Sequence, residues 1–145
     1  MKRILYRLFA TALALMICIG ITGGTLAVVR ASFYLTRYVT EVIPDTNGII
    51  HIKISVSSNQ TSTELGASYI LLEESSDGGR SWHVAREYED ESWMTTTNHR
   101  TYTRAITYQG TIGYQYRATA DVFAEDENGG DSRTTPTSPV ITATR

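Results

Sequence analysis

The chain has 145 residues, a single cysteine and a formal charge of −2, which bounds it to one domain and denies it a disulfide framework. Four of its 13 basic residues (Lys2, Arg3, Arg7 and Arg30) precede position 32 while all 15 acidic residues follow it, so the remainder holds 9 basic against 15 acidic groups, a net −6. That sign excludes a nucleic-acid binder, which needs a basic face to release counterions, and disfavours contact with anionic membrane surfaces.

Residues 1–31 form a basic start, an uncharged apolar run over 8–29 and a small-residue end, which is the order of a secretory signal peptide. Cleavage is expected before Ser32, with a second site before Val28. The apolar run is 22 residues long (8 to 29), enough to span a bilayer, so an uncleaved N-terminal anchor is the alternative. Membrane contact is expected only through 8–29 in that case. Cys18 follows Leu15, Met16 and Ile17, which is no lipidation motif, and export without cysteine suits a Gram-positive host.

Residues 32–47 read as a lead-in with a short strand at 33–39. At 50–56, Ile50, Ile52, Ile54 and Val56 alternate with polar residues, the period of a half-buried strand. The polar stretch 57–66 reads as a loop, and its Asn59, Gln60 and Thr61 form a glycosylation sequon with little meaning in a bacterium. Next comes a hairpin over 69–88. Either Tyr69 and Leu71 or Ile70 and Leu72 face inward on its first arm, and Trp82, Val84 and, as a further candidate, Tyr88 on its second. A turn is predicted at 87–91 and a Thr-rich strand at 94–108, with Tyr102, Ile106 and Tyr108 on one parity. The longest alternation runs through Ile112, Tyr114, Tyr116, Ala118, Ala120, Val122 and Ala124. Residues 125–131 form a turn with Asn128 and Gly129 at positive φ. Pro136 and Pro139 confine the last segment to an edge. Six or seven strands without an amphipathic helix predict an all-β, antiparallel sandwich over 48–145, preceded by the apolar signal helix.

Two resemblances sharpen this reading. Ser75, Asp77, Gly79, Ser81 and Trp82 match S-x-D-x-G-x-S/T-W and resemble the Asp-box, a hairpin motif repeated in sialidase propellers and found singly in secreted β-proteins. The residues themselves specify a turn, since a short acid accepts turn N–H bonds, glycine takes positive φ and Trp82 folds over the hairpin base. The run from Tyr114 to Ala120, with Asn128 to Ser132, looks like the F strand and G-strand start of fibronectin type III domains, an immunoglobulin-like sandwich. That resemblance implies that Tyr114 is the tyrosine-corner residue, that Tyr69 is the aromatic of strand C and that 50–56 is strand B. In leader and size the chain also looks like small secreted Bacillota proteins without an assigned activity.

Candidate chemistry is sparse. A single Asp-box in a chain too short for a propeller supplies no sialidase site. His51, His83 and His99 lack ligand spacing. No nucleophile motif stands out, and no cofactor is expected. The acidic clusters at 87–91 and 125–131 are candidates for weak Ca2+ binding, through Glu125, Asp126, Asn128 and Asp131 in the second, against a plainer role in solubility. Trp93 is either a lid on the core or a recognition residue. The expected function is therefore non-catalytic: a secreted or cell-surface module binding a protein or glycan. A small secreted effector of antimicrobial or toxin-like type is the alternative, and a hydrolase ranks third.

Overall fold

A computed structural model of the protein describes residues 34–145. The signal helix or anchor read at 1–31 lies outside the described residues. Seven antiparallel strands follow: β1 (Leu35–Pro44), β2 (Ile49–Ser75), β3 (His83–Glu89), β4 (Thr95–Gln109), β5 (Gln115–Asp126), β6 (Gly129–Thr134) and β7 (Ile141–Thr142).

β2 is 27 residues long and is the spine of the fold. Ile50, Ile52, Ile54 and Val56 are buried, then Leu65 and Ala67, then Ile70 and Leu72. The parity changes twice, and the register shifts at those places, between Ser57 and Ser62 and between Ala67 and Tyr69. Each irregularity turns the strand while returning its apolar side chains to the same interior. The stretch 57–66, expected as a loop, is strand throughout. Its polar composition reflects a bend with Asn59, Gln60, Thr61 and Thr63 in solvent, not a break in pairing.

Along one edge of β2, β1 pairs with Ile50–Ser58 and β5 with Glu64–Ser75; along the other, β4 pairs with Ile49–Gly66 and β3 with Tyr69–Glu74. The bend therefore makes a sandwich of two layers, β1–β2–β4 and β3–β2–β5–β6, from one continuous sheet. β1 lies inside the stretch read as a lead-in, and its Leu35 and Val42 are buried core residues. The layers are fastened on the β1/β5 side, where the buried hydroxyls of Thr40 and Thr135 lie 2.9 Å apart and Gly48 N donates to Thr144 O at 2.7 Å.

Four expectations are corrected. Residues 111–114 form a turn, with Gly113 at φ +90 and Tyr114 N bonded to Thr111 O at 3.0 Å, so β5 starts at Gln115 and Ile112 is exposed. Asn128 does not take positive φ: Asp126 pairs with Gly129, whose φ is +145, and Asn128 N donates to Asp126 Oδ1 at 2.7 Å. β3 continues to Glu89, and Asp90, at φ +49, makes the bend. Val84 is 59% exposed because the β2–β3 register shifts between Leu72 and Glu73.

Past β6 the prolines cannot donate to the ladder, and side chains continue it. Thr135 N donates to Ala120 O at 2.8 Å and its hydroxyl accepts from Ala120 N at 3.0 Å; Ser138 does the same with Ala118, at 2.9 and 3.0 Å. Replacing Thr135 with Val keeps the shape but strands the buried Ala120 N–H. Thr135→Val is expected to destabilise by about 1–3 kcal/mol in a urea titration, and an unchanged midpoint would show that this hydroxyl carries none of the ladder.

Candidate functional site

The loop between β2 and β3 is organised by Asp77. Its Oδ1 accepts from Arg80 N at 2.9 Å, Ser81 N at 3.0 Å and the Ser75 hydroxyl at 2.7 Å, and its Oδ2 accepts from the Ser81 hydroxyl at 2.5 Å. Ser75 Oγ in turn accepts from Gly79 N at 2.9 Å. Gly78 and Gly79 sit at φ +77 and +86, which a side chain at either position would strain. The bond from the Ser81 hydroxyl, followed by those from Ser81 N and Ser75, holds the Asp77 carboxyl well below the usual carboxylate range.

Trp82 takes a different direction from the expected one. Tyr116 and Ala118 point into the core, so Arg117 between them points outward, and its guanidinium lies 4.2 Å from the centroid of the Trp82 ring. The indole therefore roofs the outer face of the β5 layer, where Arg117 also holds Glu73 through Nε and Nη2 at 2.8 and 3.2 Å. Tyr114 sits in the turn before β5, whereas the wholly buried Tyr116 accepts from Thr111 N at 2.8 Å and donates to Glu74 Oε2 at 3.1 Å. Tyr69 is half-buried on the outer face and donates to Glu87, leaving Ile70 and Leu72 to face the core.

The main concentration of accessible aromatic and arginine side chains lies on the inner faces of β3 and β4. On β4, Tyr102, Arg104, Ile106 and Tyr108 sit opposite Val56, Ile54, Ile52 and Ile50, so they face the interior. On β3, Arg86 and Tyr88 sit opposite Leu72 and Ile70. Among the described residues β3 and β4 pair only with β2, so their outer edges bear no strand. Of these six side chains only Tyr102 is buried.

Trp93, in the link from β3 to β4, joins the two sets. Its ring meets Tyr88 edge-on at 5.7 Å and 78°, and its carbonyl accepts from the Tyr102 hydroxyl at 2.8 Å. Met94 beside it is fully buried and pins the link. Arg86 lies 5.4 Å from the Tyr88 ring and Arg104 lies 5.9 Å from that of Trp93. Tyr108 contacts Tyr116 at 6.1 Å. The result is an aromatic groove rimmed by two exposed guanidinium groups. Neither belongs to an ion pair among the described residues. Burial pushes Tyr102 up to about 12 and also raises Tyr108, so both hydroxyls remain protonated donors at neutral pH. Trp93 thus acts both as a lid on the core and as part of the groove's exposed rim. Sequence reading singled out Trp93, an inward Tyr88 and the parity of Tyr102, Ile106 and Tyr108, but missed Arg86 and Arg104.

Of the acidic residues singled out as Ca2+ candidates, Asp126 and Asp131 have partners within the chain. Asp126 accepts from Tyr34 at 3.2 Å and Gln60 at 2.5 Å, and Asp131 pairs with Arg133 at 2.8 Å. Glu125 joins Glu64, Asp90 and Glu91 around an open cleft of about 480 Å3 that Phe123 also lines. Among the described residues no three His, Cys, Asp or Glu gather in a metal-holding group. His51 bonds Asp45 and Thr107, each at 3.2 Å, and His99 bonds Thr97 O at 2.6 Å.

No family model and no curated protein matches the chain. Among solved structures, a chain described as an ApaA protein of Bordetella pertussis is 11% identical, with 79% of this chain and 98% of that one covered at a TM-score of 0.47. A variant superoxide reductase (neelaredoxin) of Archaeoglobus fulgidus in its reduced form is 15% identical, with 74% and 86% covered at a TM-score of 0.36. At these scores neither likeness carries an argument about function.

The two fastening aromatics should respond differently to truncation. Trp82→Ala removes a half-exposed ring and is expected to cost about 1 kcal/mol, against about 3–5 for a buried one. Tyr116→Phe strands Thr111 N and Glu74 and is expected to cost about 1–3 kcal/mol. Denaturant midpoints in the reverse order would place Trp82 in the core. Because the folded value of Asp77 is depressed, its contribution is complete above the unfolded value near 3.8 and is lost as pH falls towards the folded one. Asp77→Asn should therefore lower stability at neutral pH and flatten the acid limb of a stability–pH curve.

Proposed function

We propose that the protein is a non-catalytic, exported β-sandwich module of the immunoglobulin-like, fibronectin type III-like kind, which binds a protein or glycan at or outside the cell surface. The observation that carries this reading is the pair of arginine–aromatic stacks, Arg86 on Tyr88 and Arg104 on Trp93, at the rim of an uncovered inner face. Tyr, Trp and Arg are the residues that dominate binding energy at interfaces, because they bring large contact area and planar donors at modest entropic cost. The strand pairing supports the architecture. β2 pairs with β1 and β4 in its first half and with β5 in its second, as strand B pairs with A and E, and C with F, in that type of sandwich. The basic-apolar-small leader supports export.

The test is capture of partners from envelope and culture supernatant and on an immobilised glycan panel, with the protein and its Arg86→Ala/Arg104→Ala variant compared. Both side chains are exposed, so the variant should melt normally and lose at least about tenfold in retention of the ligand, the cost of about 1.4 kcal/mol. Equal retention by both proteins would remove the groove from the reading, and no ligand in either format would count against a binding role altogether. The mass of the exported species should lack residues 1–31; a full-length mass would make the leader an anchor.

A further inference from the structure

β4 is the least defended strand of the sandwich. It runs for 15 residues without proline or lysine, pairs with β2 alone among the described residues, and leaves a row of backbone N–H and C=O groups on its outer edge. Most edges of this length are blunted. Here the one inward-facing charge, Arg104, lies beside the half-buried Ile106 and Tyr108 on the uncovered inner face. On the opposite layer Arg86 lies over Tyr88. The sandwich therefore lacks the covering strand on its β3/β4 side that β5 and β6 supply elsewhere.

We propose, resting on the binding-module reading above, that this edge accepts an extended segment of a partner protein as an added antiparallel strand. That segment carries a carboxylate opposite Arg104 and apolar side chains opposite Ile106 and Tyr108. Main-chain hydrogen bonds to β4 supply the pairing, and alternate side chains of the added strand fall into the aromatic groove. Charge selects the occupant. An apolar strand would desolvate Arg104 without a partner, whereas an acidic one pairs it bidentately. A second copy of the chain fits poorly, because residues 92–120 contain no Asp or Glu and a second β4 would bring only Arg100 and Arg104 to the seam. Against a net −6 outside the leader, this strand itself contributes no carboxylate that would repel an acidic segment. Arg117 differs in kind, being already held by Glu73 at 2.8 Å.

A labelled peptide Thr-Val-Thr-Val-Thr-Glu-Thr-Val-Thr, complementary to residues 101–109, tests this by fluorescence anisotropy against the purified protein, with amide hydrogen exchange on β4. Saturable binding is expected, with β4 amides protected. A Glu-to-Lys peptide and a peptide N-methylated at alternate amides should each lose at least about tenfold. Arg104→Glu should lose the acidic peptide and gain the lysine one, a reciprocal swap that misfolding cannot mimic. Binding that ignores the peptide charge or its N-methylation overturns the inference, as does an absence of binding. If the peptides fail while the Arg86/Arg104-dependent ligand of the preceding test is retained, only strand addition is lost and the module reading stands. Sedimentation as a dimer that Arg104→Glu dissociates would identify a second copy as the occupant and overturn the proposal.

Discussion

Everything in this protein depends on the double curvature of β2. A strand hydrogen-bonded on both edges over 27 residues would ordinarily build a single twisted sheet with one wet face. Two register shifts bring Ile50 to Val56, Leu65 and Ala67, and Ile70 and Leu72 to one interior. The bend also explains Gly66. A Cβ there would lie 2.2 Å from Met94 O and 2.7 Å from Thr95 Cα, because Gly66 is paired with Thr95, the first residue of β4, where β2 turns. Glycine at this point serves close approach between backbones, not an unusual dihedral.

The two sides of the sandwich then have different fates. On the β1/β5 side the layers are tied by the Thr40–Thr135 contact and the Gly48–Thr144 bond, and the Thr135 and Ser138 hydroxyls continue the ladder past the prolines. On the β3/β4 side the strands lie end to end along one edge of β2, and among the described residues no further strand pairs with either. Tyr88, Trp93, Ile106 and Tyr108 consequently pack against the core with one flank in solvent. The groove follows from the topology, and its chemistry from the residues that occupy that flank.

How much of this was legible in the sequence depended on the range of the interaction. The alternations in β2 and β5 showed strands because period two is local, and the Asp77 turn could be read because its donors lie within four residues. Position across a register irregularity could not. Val84 and Trp82 were placed inward on an unbroken alternation, whereas the β2–β3 register shifts between Leu72 and Glu73; Tyr114 was counted into the β5 alternation, whereas Gly113, at φ +90, keeps it in the preceding turn. The bend at 57–66 was hidden because a solvent-facing strand and a loop have the same Ser, Thr and Asn content. In the groove, the shared parity of Tyr102, Ile106 and Tyr108 was visible, but their meeting with Arg86 and Tyr88 is set by the bend.

Cation–π stacking occurs three times among the described residues, and geometry alone does not separate the uses. Arg117 over Trp82 is the closest of the three at 4.2 Å, yet it is also bidentate to Glu73, so its donors are spent and its ring partner is held as a roof. Arg86 and Arg104 stack more loosely, at 5.4 and 5.9 Å, and keep their donors. A guanidinium on an aromatic face has its plane oriented without having its hydrogen bonds satisfied, which is preorganisation for a planar anion at reduced entropic cost. On the proposed binding reading, the same residue pair is a fastener where a carboxylate completes it within the chain, and a recognition element where the carboxylate comes from a partner.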